Sequence, residues 1–120
     1  MIIERPENLG SAGVALWDAI TEEFDFTGEP GKVAILERAC RVSDQIARLE
    51  EATATEPMTA RGSMGQLVIH PFIQEIRQQT TTLNALIKSL GLPETNEEKL
   101  AKAEQRSQYA RNAANARWRG

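Results

Sequence analysis

Hydrophobic positions follow helical spacing in two long stretches of the chain. In each stretch, apolar residues recur at alternating intervals of four and three, which is typical of a helix that packs lengthwise against another helix. The first row runs through Ile35, Ala39, Val42, Ile46 and Leu49. The second runs through Ile69, Ile73, Ile76, Thr80, Leu83, Ile87 and Leu90. The pattern predicts two long helices that form an antiparallel hairpin.

Prolines and glycines set the limits of these helices. Pro30 and Pro71 suit a first helical turn, so we expect helices from residue 30 to about residue 52 and from residue 71 onward. Gly91 and Pro93 end the second helix. Thr80 interrupts the second apolar row. Its hydroxyl either forms a polar layer that fixes register between helices or bonds its own backbone.

A shorter amphipathic helix is predicted before the hairpin. Leu16, Trp17, Ile20 and Phe24 fall on one face, and Ser11 suits the N-cap. We interpret Trp17 as a core residue rather than a binding aromatic. Residues 26–31 include two glycines and a proline, which predict a turn before the first long helix.

The segment between the long helices loses helical spacing. Residues 53–70 contain two short β-compatible runs around a glycine-bearing turn, which predicts a small β-hairpin or an ordered loop. Gly62 and Gly65 lack the spacing of a phosphate-binding loop, and no Lys-Ser or Lys-Thr pair follows them.

Composition and candidate chemistry argue against a catalytic centre. The chain has 120 residues, 41% hydrophobic and only 5% aromatic, which favours one small domain with an aliphatic, helical core. A single cysteine and a single histidine exclude a disulfide framework and Cys- or His-cluster metal sites. We therefore expect no catalytic residues, no metal and no cofactor. We interpret Cys40 as a small buried hydrophobe and His70 as a residue at a helix start.

No apolar run approaches the roughly 20 residues that cross a bilayer. The amino-terminal residues lack a signal-peptide pattern. We expect a cytoplasmic protein with no membrane contact.

Charge divides the chain at Glu98. Residues 1–98 hold 8 Lys and Arg against 16 Asp and Glu, a net charge of −8, whereas residues 99–120 hold 6 against 1, a net charge of +5. The cationic side chains are Lys99, Lys102, Arg106, Arg111, Arg117 and Arg119. Such a basic end is typical of a contact with nucleic acid or an acidic partner.

The basic segment itself has helical features. Thr95 and Glu98 have capping-box spacing, so we expect a helix from Glu97 onward. One side of this helix carries mostly small residues, which offer too little apolar surface for firm docking. We therefore expect the helix to fray or to fold on contact with a partner. The sequence thus predicts two units: residues 1–93 as helical core and oligomerisation domain, and residues 94–120 as basic tail.

Several segments resemble the small terminase subunits of tailed bacteriophages. They are Leu16-Trp17, Leu36-Glu37-Arg38-Ala39-Cys40-Arg41, Gly62-Ser63-Met64-Gly65-Gln66-Leu67-Val68-Ile69-His70-Pro71, Leu90-Gly91-Leu92-Pro93 and Ala116-Arg117-Trp118. The resemblance covers most of the chain between residues 9 and 93. It implies a ring-forming, non-enzymatic adaptor that binds viral double-stranded DNA in the host cytoplasm during phage assembly. It also implies delivery of that DNA to the large terminase subunit.

Combining this resemblance with the residue pattern gives two sets of candidate site residues. We assign DNA contact to Lys99, Lys102, Arg106, Arg111, Arg117 and Arg119; the competing role for these side chains is docking on an acidic patch of a neighbouring or large subunit. We assign oligomerisation to Ile35, Val42, Ile46, Leu49, Ile73, Ile76, Leu83 and Ile87. Acidic residues flank the first helix, which argues against a DNA-reading helix there.

Two other classes of protein compete with this interpretation. The first is a helical connector or scaffolding protein of a phage head without a DNA role. The second is a small transcriptional regulator, which requires a recognition helix with Arg, Lys, Asn or Gln at its start. We find no such helix.

Overall fold

The computed structural model describes residues 3–55 and 59–119, with the side chains of residues 59, 60, 118 and 119 outside the description. Four helices and one two-stranded sheet follow one another in the chain: α1 (Ser11–Glu23), α2 (Pro30–Thr53), β1 (Thr59–Arg61), β2 (Leu67–Ile69), α3 (Pro71–Ser89) and α4 (Asn96–Arg119). The mainly helical fold confirms the prediction. The segment between the long helices forms a β-hairpin, not merely an ordered loop.

Helices α2 and α3 make the most extensive packing in the molecule. Leu90, just after α3, lies in the same core cluster as Leu36 and Cys40 from the first half of α2, and none of the three has exposed surface. The end of α3 therefore meets the beginning of α2, and the pair is antiparallel. Thr80 is exposed rather than part of the packed row, and its neighbours Thr81 and Thr82 donate to backbone carbonyls one turn earlier.

Helix α1 packs on α2. Trp17 and Ile20 of α1 complete the core together with Phe26, which follows the helix. The helix ends at Glu23, and Phe24 has extended backbone. In extended backbone, residues two apart point to the same side. Phe24 packs against the core and Phe26 is only 3% exposed, so the segment predicted as a turn supplies a core aromatic.

The amino terminus of α1 is capped by a side chain from another helix. Ser11 is the first helical residue, and the N-cap is Gly10 with no side-chain cap of its own. Instead the Asp44 carboxylate of α2 accepts hydrogen bonds from the backbone N–H of Gly10 (2.8 Å) and of Gly13 (2.7 Å). A carboxylate at this position bonds unpaired amides and complements the helix dipole. The predicted Ser11 cap is therefore wrong.

The β-hairpin joins the far ends of α2 and α3. Its strands are antiparallel, with Thr59 opposite Ile69 and Arg61 opposite Leu67. The turn is closed by the Gly62 N–H donating to the Gln66 carbonyl at 2.7 Å, and Gly65 has a positive φ of 81°. Among the described residues, β1 and β2 pack extensively on each other and on no other element, so the hairpin extends beyond the helical core.

Candidate nucleic-acid interface

Helix α4 begins with the predicted capping box. The Glu98 backbone N–H donates to Thr95 Oγ1 at 3.1 Å, and the Thr95 backbone N–H donates to a Glu98 carboxylate oxygen at 3.3 Å. Gly91, with φ of 63°, separates this helix from α3, and Pro93 follows. Leu92 still packs against the core, and the chain starts a new helix at Asn96.

Helix α4 makes no extensive packing with the other described elements. Every side chain described between Asn96 and Arg117 is exposed, including Leu100 at 67% and Tyr109 at 79%. Most of the stability of a helix in a protein comes from packing of its apolar face, and α4 has no such packing on the described elements. Its exposure agrees with the expectation that the small-residue stripe offers too little apolar surface to dock, while the predicted fraying stays a prediction.

Four basic side chains lie along one side of α4. At about 100° per residue, Lys99, Lys102, Arg106 and Arg117 fall within about 60° of one another around the helix axis. They span about 27 Å at 1.5 Å per residue. Tyr109 lies beside this row. We call Lys99, Lys102, Arg106 and Arg117 the basic stripe.

The other two predicted DNA-contact residues lie away from the basic stripe. Arg111 is turned by about 120° from Lys99 around the axis. Its guanidinium donates to the Gln108 side chain at 3.2 Å. Arg119 is the last residue of α4, and its side chain lies outside the description. The structure thus brings together four of the six predicted DNA-contact residues.

An acidic side chain already contacts the basic stripe. Glu94, just before α4, forms an ion pair with Lys102. The pKa of the Glu94 carboxyl is lowered, first by the hydrogen bond from Lys102 and then by the charges of Lys102, Lys99 and Arg106. Both side chains of the pair remain about half exposed. A second anion approaching Lys102 must therefore compete with Glu94.

The predicted oligomerisation residues occupy the faces where α2 and α3 carry their apolar rows. Val42 and Ile46 of α2 are buried within the single chain, whereas Ile35 and Leu49 are half-buried. All four residues of α3 are half-buried: Ile73, Ile76, Leu83 and Ile87. Surface for a neighbouring copy is thus left mainly on α3.

Sequence reasoning missed an apolar surface on the β-hairpin. Five large hydrophobic side chains are exposed here: Met64 (90%), Leu67 (70%), Val68 (37%), Ile69 (40%) and Phe72 (39%). We call these five residues the apolar hairpin surface. The available signal was the absence of Asp, Glu, Lys and Arg from residues 62–74, in a chain that is 26% charged.

The single cysteine and histidine have structural positions. Cys40 is fully buried, and burial, followed by the charges of Asp44 and Glu37, raises the pKa of its thiol to about 11. A thiol with this pKa is protonated near neutral pH and is a poor nucleophile. His70 is the N-cap of α3, and its Nδ1 accepts from the Phe72 backbone N–H at 3.1 Å.

Within the described part of the chain, no group of three or more His, Cys, Asp or Glu side chains is placed to hold a metal ion. Among the described helices, none is both long and apolar enough to span a membrane.

The fold defines a small, mainly helical protein with two distinct exposed surfaces: the basic stripe on α4 and the apolar hairpin surface. The family model described as phage terminase, small subunit, matches residues 13–107. This chain belongs to that family, and is a bacteriophage protein of viral genome packaging. Searches of curated proteins and of solved structures give no match.

The matched region begins in α1 and ends within α4. It includes Lys99, Lys102 and Arg106, and stops before Arg111, Arg117 and Arg119. The part of the basic stripe nearest to Glu94 therefore lies within the family region.

Proposed function

We propose that this protein is a non-enzymatic adaptor that binds viral double-stranded DNA through α4 and works with the large terminase subunit in the host cytoplasm. In this proposal, residues 1–93 form the core and self-associate into a ring, and residues 94–120 form the DNA-binding tail. The observation that carries it is the basic stripe: four cationic side chains on one side of an exposed helix, attached to a body of opposite charge.

The length and exposure of the basic stripe suit a phosphate backbone. Cationic side chains that replace counterions along DNA give affinity that falls steeply with salt and depends little on sequence. A stripe of about 27 Å on a single helix face follows a phosphate backbone over several phosphates. Tyr109 adds an exposed aromatic ring beside the cations.

A single stripe of four cations binds weakly at physiological salt. Joining several copies in one assembly converts further contacts into intramolecular ones, which multiplies affinity without new contact types. Self-association and DNA binding therefore support each other in the proposed function.

The charge of the body favours α4 over α1 as the DNA contact. Asp18, Glu22 and Asp25 lie along or just after α1, and residues 1–98 carry a net charge of −8. The Asp25 carboxylate accepts from the Thr27 hydroxyl and backbone N–H, and these bonds lower its pKa. A charged carboxylate at this end of α1 repels phosphate.

The test replaces three cations of the basic stripe and three of the body. The triple variant Lys99→Gln, Lys102→Gln and Arg106→Gln is compared with Arg38→Gln, Arg48→Gln and Lys88→Gln, three exposed basic residues of α2 and α3. Both variants change net charge equally. Duplex DNA binding is measured by fluorescence anisotropy at several salt concentrations, and assembly by light scattering.

We expect the α4 variant to lose affinity and the slope of log K against log salt to become shallower by about 2 to 3, while the body variant stays close to wild type. Equal losses in both variants, or no loss in either, contradict the DNA role of α4. If the α4 variant binds DNA with unchanged affinity but no longer stimulates the large terminase subunit, the basic stripe docks on the large subunit instead.

A further inference from the structure

The apolar hairpin surface exposes more hydrophobic area than a solvated turn needs. The exposed fractions of its five residues run from 37% for Val68 to 90% for Met64. Clusters of exposed large apolar side chains on a soluble protein often mark a contact site. Four of the five lie on the hairpin, and Phe72 lies at the adjoining start of α3.

Both faces of the hairpin contribute to this surface. Side chains alternate along a strand, so Leu67 and Ile69 point to one face and Val68 to the other. All three are exposed, and β1 and β2 have three residues each. An isolated two-stranded hairpin of this length is marginal in water without further packing. Covering either face would stabilise both the strands and the apolar side chains.

The chemistry of the surface identifies its partner. Residues 62–74 contain no Asp, Glu, Lys or Arg. The hairpin has one cation, Arg61 of β1, and its guanidinium donates to the Gly65 carbonyl of the hairpin's own turn at 3.1 Å. The five side chains of the apolar hairpin surface therefore offer no charge to pair with a charged partner. Each strand of a two-stranded sheet has one outer edge, with backbone donors and acceptors that match those of another hairpin edge. The hairpin is thus complementary to a copy of itself in polarity and in backbone hydrogen bonding.

The surface also continues into α3. Phe72 lies in the first turn of α3, and Ile73 and Ile76 follow it as half-buried residues. A standard interface covers about 800 Å² on each partner. Phe72, Ile73 and Ile76 therefore extend the exposed apolar side chains of the hairpin along the start of α3, towards the area that such an interface requires.

We propose that the apolar hairpin surface is an interface between copies of this chain, in which the hairpin of one copy packs on the hairpin and the start of α3 of the next. This inference rests on the self-association in the proposed function. It assigns a main contact to the hairpin, in addition to the helical rows predicted from sequence.

The test uses two leucines with nearly equal exposure. Leu67 on β2 is 70% exposed and Leu100 on α4 is 67% exposed. Leu67→Gln and Leu100→Gln therefore make the same change at a proposed contact and at a matched control position. Mass photometry and light scattering of the full chain over a concentration series measure assembly, and far-ultraviolet circular dichroism measures helix content.

We expect Leu67→Gln to raise the concentration at half-assembly by at least about tenfold, because the interface then no longer buries one large apolar side chain. Leu100→Gln should assemble like wild type, and both variants should keep wild-type helix content. Phe72→Gln, which changes the helix side of the same surface and leaves the strands intact, should weaken assembly in the same way.

Three results would overturn the inference. If wild type, Leu67→Gln and Phe72→Gln form the same assemblies, the hairpin is not the interface, although the proposed self-association stands. If the two hairpin variants assemble normally and lose binding to the large subunit, the hairpin contacts that subunit instead. If wild type is monomeric at every concentration, the self-association itself is refuted.

Discussion

At the scale of single residues, Asp44 connects two helices that the sequence treats separately. Its carboxylate is 7% exposed and accepts from two amides at the start of α1. We predict that Asp44→Ala lowers the free energy of unfolding by about 1–3 kcal/mol, because it leaves buried donors without an acceptor. Urea unfolding measures this change.

The matched control for Asp44→Ala is Glu37→Ala on the same helix. Glu37 pairs with Arg41 at 2.9 Å on a half-exposed surface, so its loss should cost below about 0.5 kcal/mol. Similar costs for the two variants would show that the Asp44 bonds do not stabilise α1.

Gly13 permits the close approach that lets Asp44 reach α1. A Cβ at this position would lie 2.5 Å from Asp44 Oδ2 and 2.9 Å from the Cys40 carbonyl oxygen. We predict that Gly13→Ala destabilises the fold by about 1–3 kcal/mol through overpacking. Gly31→Ala, in open space in the first turn of α2, should instead stabilise it by up to about 1 kcal/mol. Thermal unfolding of both variants tests the opposite signs.

These residue roles show where sequence reasoning stops. Glu37 and Arg41 have the i,i+4 spacing of a helical ion pair, so this contact can be inferred from α2 alone. Asp44 has the same spacing to Arg48, which is typical of a solvated pair, and nothing in α2 indicates that α1 lies across Asp44. The core position of Phe26 was not predicted for a similar reason. The turn-like composition of its segment does not reveal that extended backbone directs the Phe26 ring into the core.

At the scale of elements, the helices were predictable and the exposed apolar surface of the β-hairpin was not. The spacing of apolar residues, the prolines and the Thr95–Glu98 capping box indicate where helices begin and end, because these signals are local in sequence. The candidate site was predictable as a charge row on α4, for the same reason. The apolar hairpin surface was not predicted, because a three-residue strand gives no clear periodic signal.

Helix α4 should be the least stable element of the free protein. Its side chains are exposed and it lacks extensive packing with the described core, so opening it disrupts few contacts. We predict fast amide hydrogen exchange throughout α4 and slow exchange in α2, with α4 becoming protected when duplex DNA is added. Exchange followed by mass spectrometry tests this. Slow exchange in α4 of the free monomer would contradict it.

The Glu94–Lys102 pair should weaken DNA binding. Because Glu94 occupies a cation of the basic stripe, we predict that Glu94→Gln raises duplex DNA affinity by a factor of about two to five, within the usual strength of exposed ion pairs. Glu97→Gln is the control, since Glu97 lies on the opposite side of α4 and the charge change is equal. Equal gains in both variants would indicate a general charge effect rather than competition.

At the scale of the whole molecule, opposite charges are kept on separate units. In the proposed function, the acidic body repels DNA and α4 attracts it, so an assembly that gathers several basic stripes would hold DNA at the tails rather than against the cores. DNA affinity would then depend on how many chains are joined, while each contact remains weak and sensitive to salt.

Assembly and DNA affinity should therefore fall together when the hairpin is changed. We predict that the triple variant Met64→Gln, Leu67→Gln and Ile69→Gln, with α4 untouched, binds duplex DNA at least about a hundredfold more weakly than wild type, because avidity is lost. Joining several copies of the variant covalently through flexible linkers should restore most of the DNA affinity. If joining the copies in this way does not restore DNA binding, the hairpin residues contact DNA directly and the avidity explanation is wrong.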